Sequence, residues 1–252
     1  ESDACFSSVS IYSVALTVYV VIILIMSILN GAKLAFDIGA YDGGKAQEML
    51  TAGVNKLVCI EANPHTFQKL TAKFAHDNRV TLVNSIMCDE DTPSKEFFCS
   101  RMHPPISTAN SRFVTESRFS NKADENNVPY TWDETVSVKS KTLDSLVSEY
   151  GVPDFVKIDV EGNEFAVMSG FNKFLEHTLL TFEFHEEFED VGIECVEHLY
   201  KLGYNKFGLI NGDDINEFPR KYHTKSDFLD RINQAFPSQS KEFFGMVFIK
   251  YE

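Results

Sequence analysis

Phe36-Asp37-Ile38-Gly39-Ala40-Tyr41-Asp42-Gly43-Gly44 decides the fold. It closes an apolar run from Leu34 to Ile38 that reads as a strand, and it leads into Lys45 to Ala52, which reads as a helix. Glycines at such a turn let a ligand approach the backbone. The helix N-terminus beyond them presents free N–H groups and a partial positive charge. In open α/β sheets nucleotide-like ligands bind at this kind of turn. The spacing is D-x-G-x-x-x-G, not G-x-G-x-x-G, so a nucleoside with a short charged tail matches better than a dinucleotide. It is not G-x-x-x-x-G-K-[ST] either, which removes the nucleoside triphosphate reading.

Outward from this turn, apolar runs alternate with amphipathic stretches. Lys56 to Ile60 reads as a second strand ending at Glu61, and Pro64 to His76 as a helix. Val80 to Met87 reads as a third strand, running into Cys88-Asp89-Glu90-Asp91. Lys95 to Cys99 and Thr135 to Lys141 read as further strands around Arg101 to Glu134, which is polar and has no period. A loop of that length in a compact domain is usually a lid or a disordered insertion. Thr142 to Tyr150 is a helix, Asp154 to Asp159 a central strand, and Asn163 to Ser169 opens a helix. Leu179 to Phe184 is a strand, Val191 to Leu202 a helix, and Tyr204 to Ile210 and Gly245 to Tyr251 are closing strands. The order predicts one doubly wound α/β domain from about residue 31 to 252.

Composition narrows the partners. Lys plus Arg is 23 and Asp plus Glu is 37, a net charge of −14. An acidic chain has no general electrostatic reason to bind nucleic acid, and none is expected. The five cysteines form no CxxC pair, which speaks against a disulfide framework or a thiolate zinc site. No charged residue occurs from Ala4 to Ala32. Ile11 to Leu29 as a helix would span roughly 28 Å, the thickness of a bilayer core. Residues 1–30 are therefore expected to hold a membrane-anchor helix, giving a single-pass membrane protein. Lys33 and Lys45 after the span slightly favour the cytoplasm for the following domain. A signal peptide and a buried core helix are the alternatives.

Candidate site residues follow from the strand ends. Glu61, at the end of the second strand, is positioned to accept hydrogen bonds from ribose hydroxyls. Lys157 and Asp159 interrupt a strand that should be continuously apolar, so they must be paired or lie at the ligand-binding edge. Asp159 and Glu161 could instead cap the helix near Asn163. His185 ends the next strand beside Glu183 and could act as a general base near neutral pH. Asp159, Glu161 and Glu183 are hard oxygen donors, but nothing fixes a ligand spacing, and no metal is assigned.

The chain resembles the FkbM family of S-adenosylmethionine-dependent methyltransferases. The resemblance rests on Phe36 to Gly43, on Ile60-Glu-Ala-Asn-Pro64 with Phe67 and Leu70, on Val80 to Asn84, on Thr142-Leu-Asp144-Ser-Leu146, and above all on Val156-Lys-Ile-Asp-Val-Glu-Gly162. It implies a Rossmann-like seven-stranded sheet of the class I methyltransferase type, S-adenosylmethionine as cofactor, and O-methylation of a glycan, lipid or small-metabolite hydroxyl. On that resemblance Asp37 and Gly39 face the methionine part of the donor. Glu61 holds the ribose, and Asp89, with Glu90 as its rival, meets the adenine amino group. Tyr41, Gly43 and Asn63 complete the donor site. Asp159 lies near the sulfonium or the acceptor, and His185 and Glu183 are the candidate bases. Two other readings compete: a tethered protein that keeps the fold without turnover, and a nicotinamide oxidoreductase, which the missing third glycine disfavours.

Overall fold

The computed structural model describes residues 29–214, 217–235 and 243–252. Strands β1 (Ala35–Ile38), β2 (Leu57–Glu61) and β3 (Val80–Asn84) run parallel on one side of the main sheet. Strands β7 (Phe155–Ile158) and β8 (Leu179–His185) continue it in parallel on the other side. Beyond them lie β10 (Phe244–Lys250) and β9 (Lys206–Asn211), with β10 antiparallel to both of its neighbours. The order is β3-β2-β1-β7-β8-β10-β9. The chain winds one way from β1 and the other way from β7, so the crevice at their carboxyl ends is a topological switch point.

Helices cover both faces of this sheet, and β1, β2 and β7 are buried at every residue, as the two-sided burial of a parallel sheet requires. Helix α1 (Gly44–Ala52) packs Ala46, Met49 and Leu50 inward, and α2 (Pro64–Lys73) packs Leu70. The core is rich in phenylalanine: Phe36, Phe155, Phe182, Phe184, Phe207 and Phe248 are all at most 1% exposed. Each such side chain contributes about 1.5–3 kcal/mol on leaving water.

Three features depart from the sequence expectations. The run Val80 to Met87 is not one strand. Ser85 interrupts it, donating its hydroxyl to the carbonyl of Lys139 at 3.0 Å. Beyond it β4 (Ile86–Met87) joins a second sheet with β6 (Glu134–Lys141) and β5 (Thr92–Cys99), in the order β4-β6-β5. The excursion from 101 to 134 is neither structureless nor purely a surface loop. It holds a 3₁₀ turn at Pro104–Ile106 and helix α3 (Ser111–Glu116), capped by the Asn110 side chain. Its Ile106 and Phe113 form a small core with Phe188, Phe119, Tyr130 and Trp132. The third feature is a helix over Lys225–Ala235, which the sequence reading passed over. Phe228 and Ile232 anchor it in the main core.

The membrane expectation is corrected. Among the described residues no helix is long and apolar enough to cross a membrane, so a single-pass membrane location is not supported. The span expected over residues 11–29 lies outside the described residues but for its last one. That residue, Leu29, is 1% exposed and packs in the core with Ala32, Ala35 and Met49.

Candidate active site

At the exit of β1, Gly39 takes φ +79°, a left-handed conformation. A Cβ there would lie 1.7 Å from the carbonyl oxygen of Asp159, so only glycine lets the exits of β1 and β7 come this close. The amides of Gly39 and Ala40 both donate to the carbonyl of Ile60, at 3.0 and 2.9 Å. These bonds curl the turn over the end of β2, where Glu61 sits. Glu61 is 7% exposed. One carboxylate oxygen accepts from the Tyr41 amide at 2.8 Å and the other from the Asn63 amide at 2.7 Å. Burial pushes its pKa up to about 7, against the pull of those two amides.

The end of β7 carries the second half of the site. Asp37 and Lys157 are register partners on β1 and β7. The Lys157 ammonium, 3% exposed as a residue, lies 3.5 Å from Asp37 Oδ1 and 3.0 Å from Asp159 Oδ2. The charges inside the parallel strand are therefore paired, as burial demands. Burial raises the pKa of Asp37. It also works against ionisation of Asp159, but the Lys157 ammonium, a hydrogen bond with Glu183 and the His185 charge together outweigh it and hold Asp159 below the usual carboxylate range. On β8, His185 Nε2 lies 2.9 Å from Glu183 Oε2. Burial disfavours the imidazolium, yet the Glu183 carboxylate beside it raises the His185 pKa to about 10. Burial, with Asp159 nearby, raises Glu183 to about 7. Glu164, and not Asp159 or Glu161, accepts the loop amides, taking those of Val160 at 3.1 Å and Gly162 at 3.3 Å.

These groups open into one cavity of about 630 Å³, within the range of small-molecule sites. Of the candidate residues, Gly39, Tyr41, Glu61, Asp159, Glu183 and His185 line it. Four do not, and each has a structural reason. Asp37 lies beneath the site as the partner of Lys157. Gly43 is a packing position, where a Cβ would sit 2.5 Å from the Phe74 ring. Asn63 caps α2, its side chain accepting from the His65 and Thr66 amides. Asp89 points away and pairs with Lys95 at 3.1 Å.

Sequence reasoning missed Ile86, Met87 and Phe97, which supply apolar walls beside Glu61, and Arg118 and Phe119 of the excursion. Arg118 pairs with Glu187, and its Nη2 lies 3.5 Å from His185 Nδ1. No local signal marks these residues, because they reach the cavity from the second sheet and the excursion.

A seven-stranded sheet of this order, with a glycine turn after β1, an acid ending β2 and a cavity at the switch point, defines a class I methyltransferase-like α/β protein. The family model described as Methyltransferase FkbM domain matches residues 37–219, and the chain belongs to this FkbM methyltransferase family. A comparison with curated proteins found no match. Among solved structures, the FkbM methyltransferase of Methylobacillus flagellatus is similar at 12% identity and TM-score 0.47, covering 86% of this chain and 43% of its own. The chain thus spans less than half the length of that relative. The precorrin-6y C5,15-methyltransferase of Geobacter metallireducens shares 12% identity at TM-score 0.45, covering 92% and 87% of the two chains. The N-methyltransferase NodS of Bradyrhizobium japonicum shares 7% identity at TM-score 0.43, covering 92% and 93%.

Proposed function

We propose that the cavity binds S-adenosylmethionine and that the protein methylates a hydroxyl of a glycan, lipid or small metabolite. The observation that carries this reading is Glu61. It is a buried carboxylate at the end of β2, facing the cavity beside the glycine turn. Each of its oxygens accepts one amide and keeps lone-pair capacity for a ribose hydroxyl. The cavity size and the predominantly acidic charge of its lining also suit a cationic nucleoside.

In this reading the backbone of Gly39 and Tyr41 borders the methionine part of the donor. Ile86, Met87 and Phe97 supply an apolar slot for the adenine, the part of the site first assigned to Asp89. The bound donor supplies a methyl group already activated on a sulfonium. The protein then has chiefly to align the acceptor oxygen with it. Asp159 faces the positive charge. Of the His185–Glu183 pair, the Glu183 carboxylate takes the acceptor proton as the new O–C bond forms, and His185 holds it in place. The excursion, through Pro104, Pro105 and Phe119, forms a wall for the acceptor.

Calorimetry with S-adenosylmethionine and, in parallel, NAD tests the donor. Saturable binding of the first and none of the second is expected, and the reverse result overturns the reading. A methyl-transfer screen over glycans, lipids and hydroxylated metabolites tests the acceptor. Transfer to a nitrogen or carbon acceptor, with no hydroxyl methylated, would overturn O-methylation.

A further inference from the structure

We propose that Glu161, Glu183 and His185 form a binding site for a divalent first-row transition-metal ion within this cavity. One ligand atom from each of the three lies within 4.8 Å of the other two. Around an ion bound at about 2.1 Å by nitrogen and oxygen, donor atoms stand at most about 4.2 Å apart. Side-chain shifts of a fraction of an ångström therefore close the set.

The three ligands come from rigid, adjacent elements. Glu183 and His185 are alternate residues of β8, so their side chains share a face. Glu161 follows the neighbouring strand β7 in a left-handed conformation, φ 56°. The backbone around it is held from the excursion. Thr108 Oγ1 donates to the Glu161 carbonyl at 2.8 Å, and Asn110 Nδ2 to the Gly162 carbonyl at 2.5 Å. Such outer contacts commonly orient metal ligands.

A second observation points to a missing cation. The Glu161 side chain is half-buried in the cavity wall, yet its carboxyl accepts no hydrogen bond and forms no ion pair among the described residues. Its carboxylate neighbours, Glu183 and Asp159, repel it. Lys157 is committed to Asp37 and Asp159 and Arg118 to Glu187, which leaves the His185 ring, itself bonded to Glu183, as the one basic group among the described residues acting on Glu161. Carboxylates this close repel one another, and an ion shared by Glu161, Glu183 and His185 offsets that repulsion.

The donor set indicates the class of ion. One imidazole with two carboxylates suits Mn²⁺, Fe²⁺ or Zn²⁺ better than Mg²⁺ or Ca²⁺, which take all-oxygen shells. Three protein ligands leave positions open toward the cavity, as catalytic metal sites do. Resting on the methyltransferase reading, those positions would receive the acceptor hydroxyl oxygen, the ion then acidifying it while Glu183 and His185 serve as ligands and not as the base, and an acceptor offering two adjacent oxygens would chelate best.

The test uses the full chain after treatment with a chelator. MnCl₂ is titrated in, and the free ion is followed by electron paramagnetic resonance. One ion per chain is expected. Glu161→Gln should weaken Mn²⁺ by at least about tenfold, with an unchanged circular dichroism spectrum. Co²⁺ on the wild-type chain should give visible bands that report nitrogen ligation, a readout that needs no variant to fold. Absence of Mn²⁺ and Co²⁺ binding by the folded wild type overturns the proposal, as does wild-type affinity in a folded Glu161→Gln. S-adenosylhomocysteine binding, measured separately, distinguishes the two readings. A chain that binds it without any cation loses only the metal site, and a chain that binds Mn²⁺ but no nucleoside loses only the methyltransferase reading.

Discussion

Glu61 is 7% exposed, yet both of its carboxylate oxygens already accept a backbone amide. Glu61→Ala should therefore weaken S-adenosylmethionine by about 1–3 kcal/mol, the cost of leaving buried hydroxyls unpaired. Unchanged affinity in the folded variant removes Glu61 from the site. Its ionisation adds a pH dependence. The folded pKa, about 7, lies above the ordinary 4.5. Between those values the folded chain keeps a proton that the unfolded chain releases, so the stability of the unliganded chain falls as pH rises through that window. Donor binding runs the opposite way, because ribose hydroxyls need the carboxylate as acceptor. Affinity should rise about tenfold from pH 6 to pH 8, with Asp37 and Lys157 the charged groups acting on Glu61 and Glu61→Gln flattening the profile. A flat wild-type profile in calorimetry refutes this. Glu61 was legible in the sequence because it ends a short apolar run about twenty residues after the glycine turn. Asp89 has a similar local look, but its side chain turns outward to Lys95, a difference that no residue spacing records.

The adjoining ends of β7 and β8 bring Asp159, Glu183 and His185 to one edge because the two strands are hydrogen-bonded neighbours in register. His185→Ala should slow methyl transfer by about 10²–10⁴ and leave donor affinity nearly intact. Asp159→Asn should slow transfer and also weaken the donor, since its carboxylate faces the sulfonium in the proposed complex. Calorimetry beside turnover on an identified acceptor separates the two variants. Full turnover in His185→Ala would mean that the proton leaves without help from His185. The excursion is the element least legible in the sequence. It has no period because its structure comes from a handful of aromatic contacts and side-chain caps. Phe113 is fully buried there, edge-on to Trp132 and His185. Phe113→Ala should cost about 3–5 kcal/mol within that small core. Limited proteolysis should then cut between residues 101 and 134, and KM for the acceptor should rise more than that for the donor. Equal resistance to protease in the variant would mean that the excursion is held by other contacts.

For the whole molecule, the sheet order places the cavity at the carboxyl ends of β1 and β7, from which the chain winds in opposite directions, so a donor bound there would touch both halves of the sheet. At a hundred times its dissociation constant, S-adenosylmethionine should add about 2.7 kcal/mol to the stability of the folded chain. That corresponds to a rise of roughly 5–10 °C in the melting midpoint for a domain of this size, readable by scanning fluorimetry. No shift at saturation would count against the donor site. The sequence alone determined the alternating α/β order, the glycine turn, the acid after β2 and the family resemblance. Those signals are local: a turn that allows no Cβ, a strand end, a charged pair inside an apolar run. Tertiary structure decided which acids reach the cavity, that the excursion folds over it, that Glu161 joins Glu183 and His185, and that Leu29 packs into the domain core. Those outcomes depend on contacts between residues far apart in the chain. Such contacts depend on how the whole sheet and its covering elements pack, and no stretch of sequence read by itself contains that information.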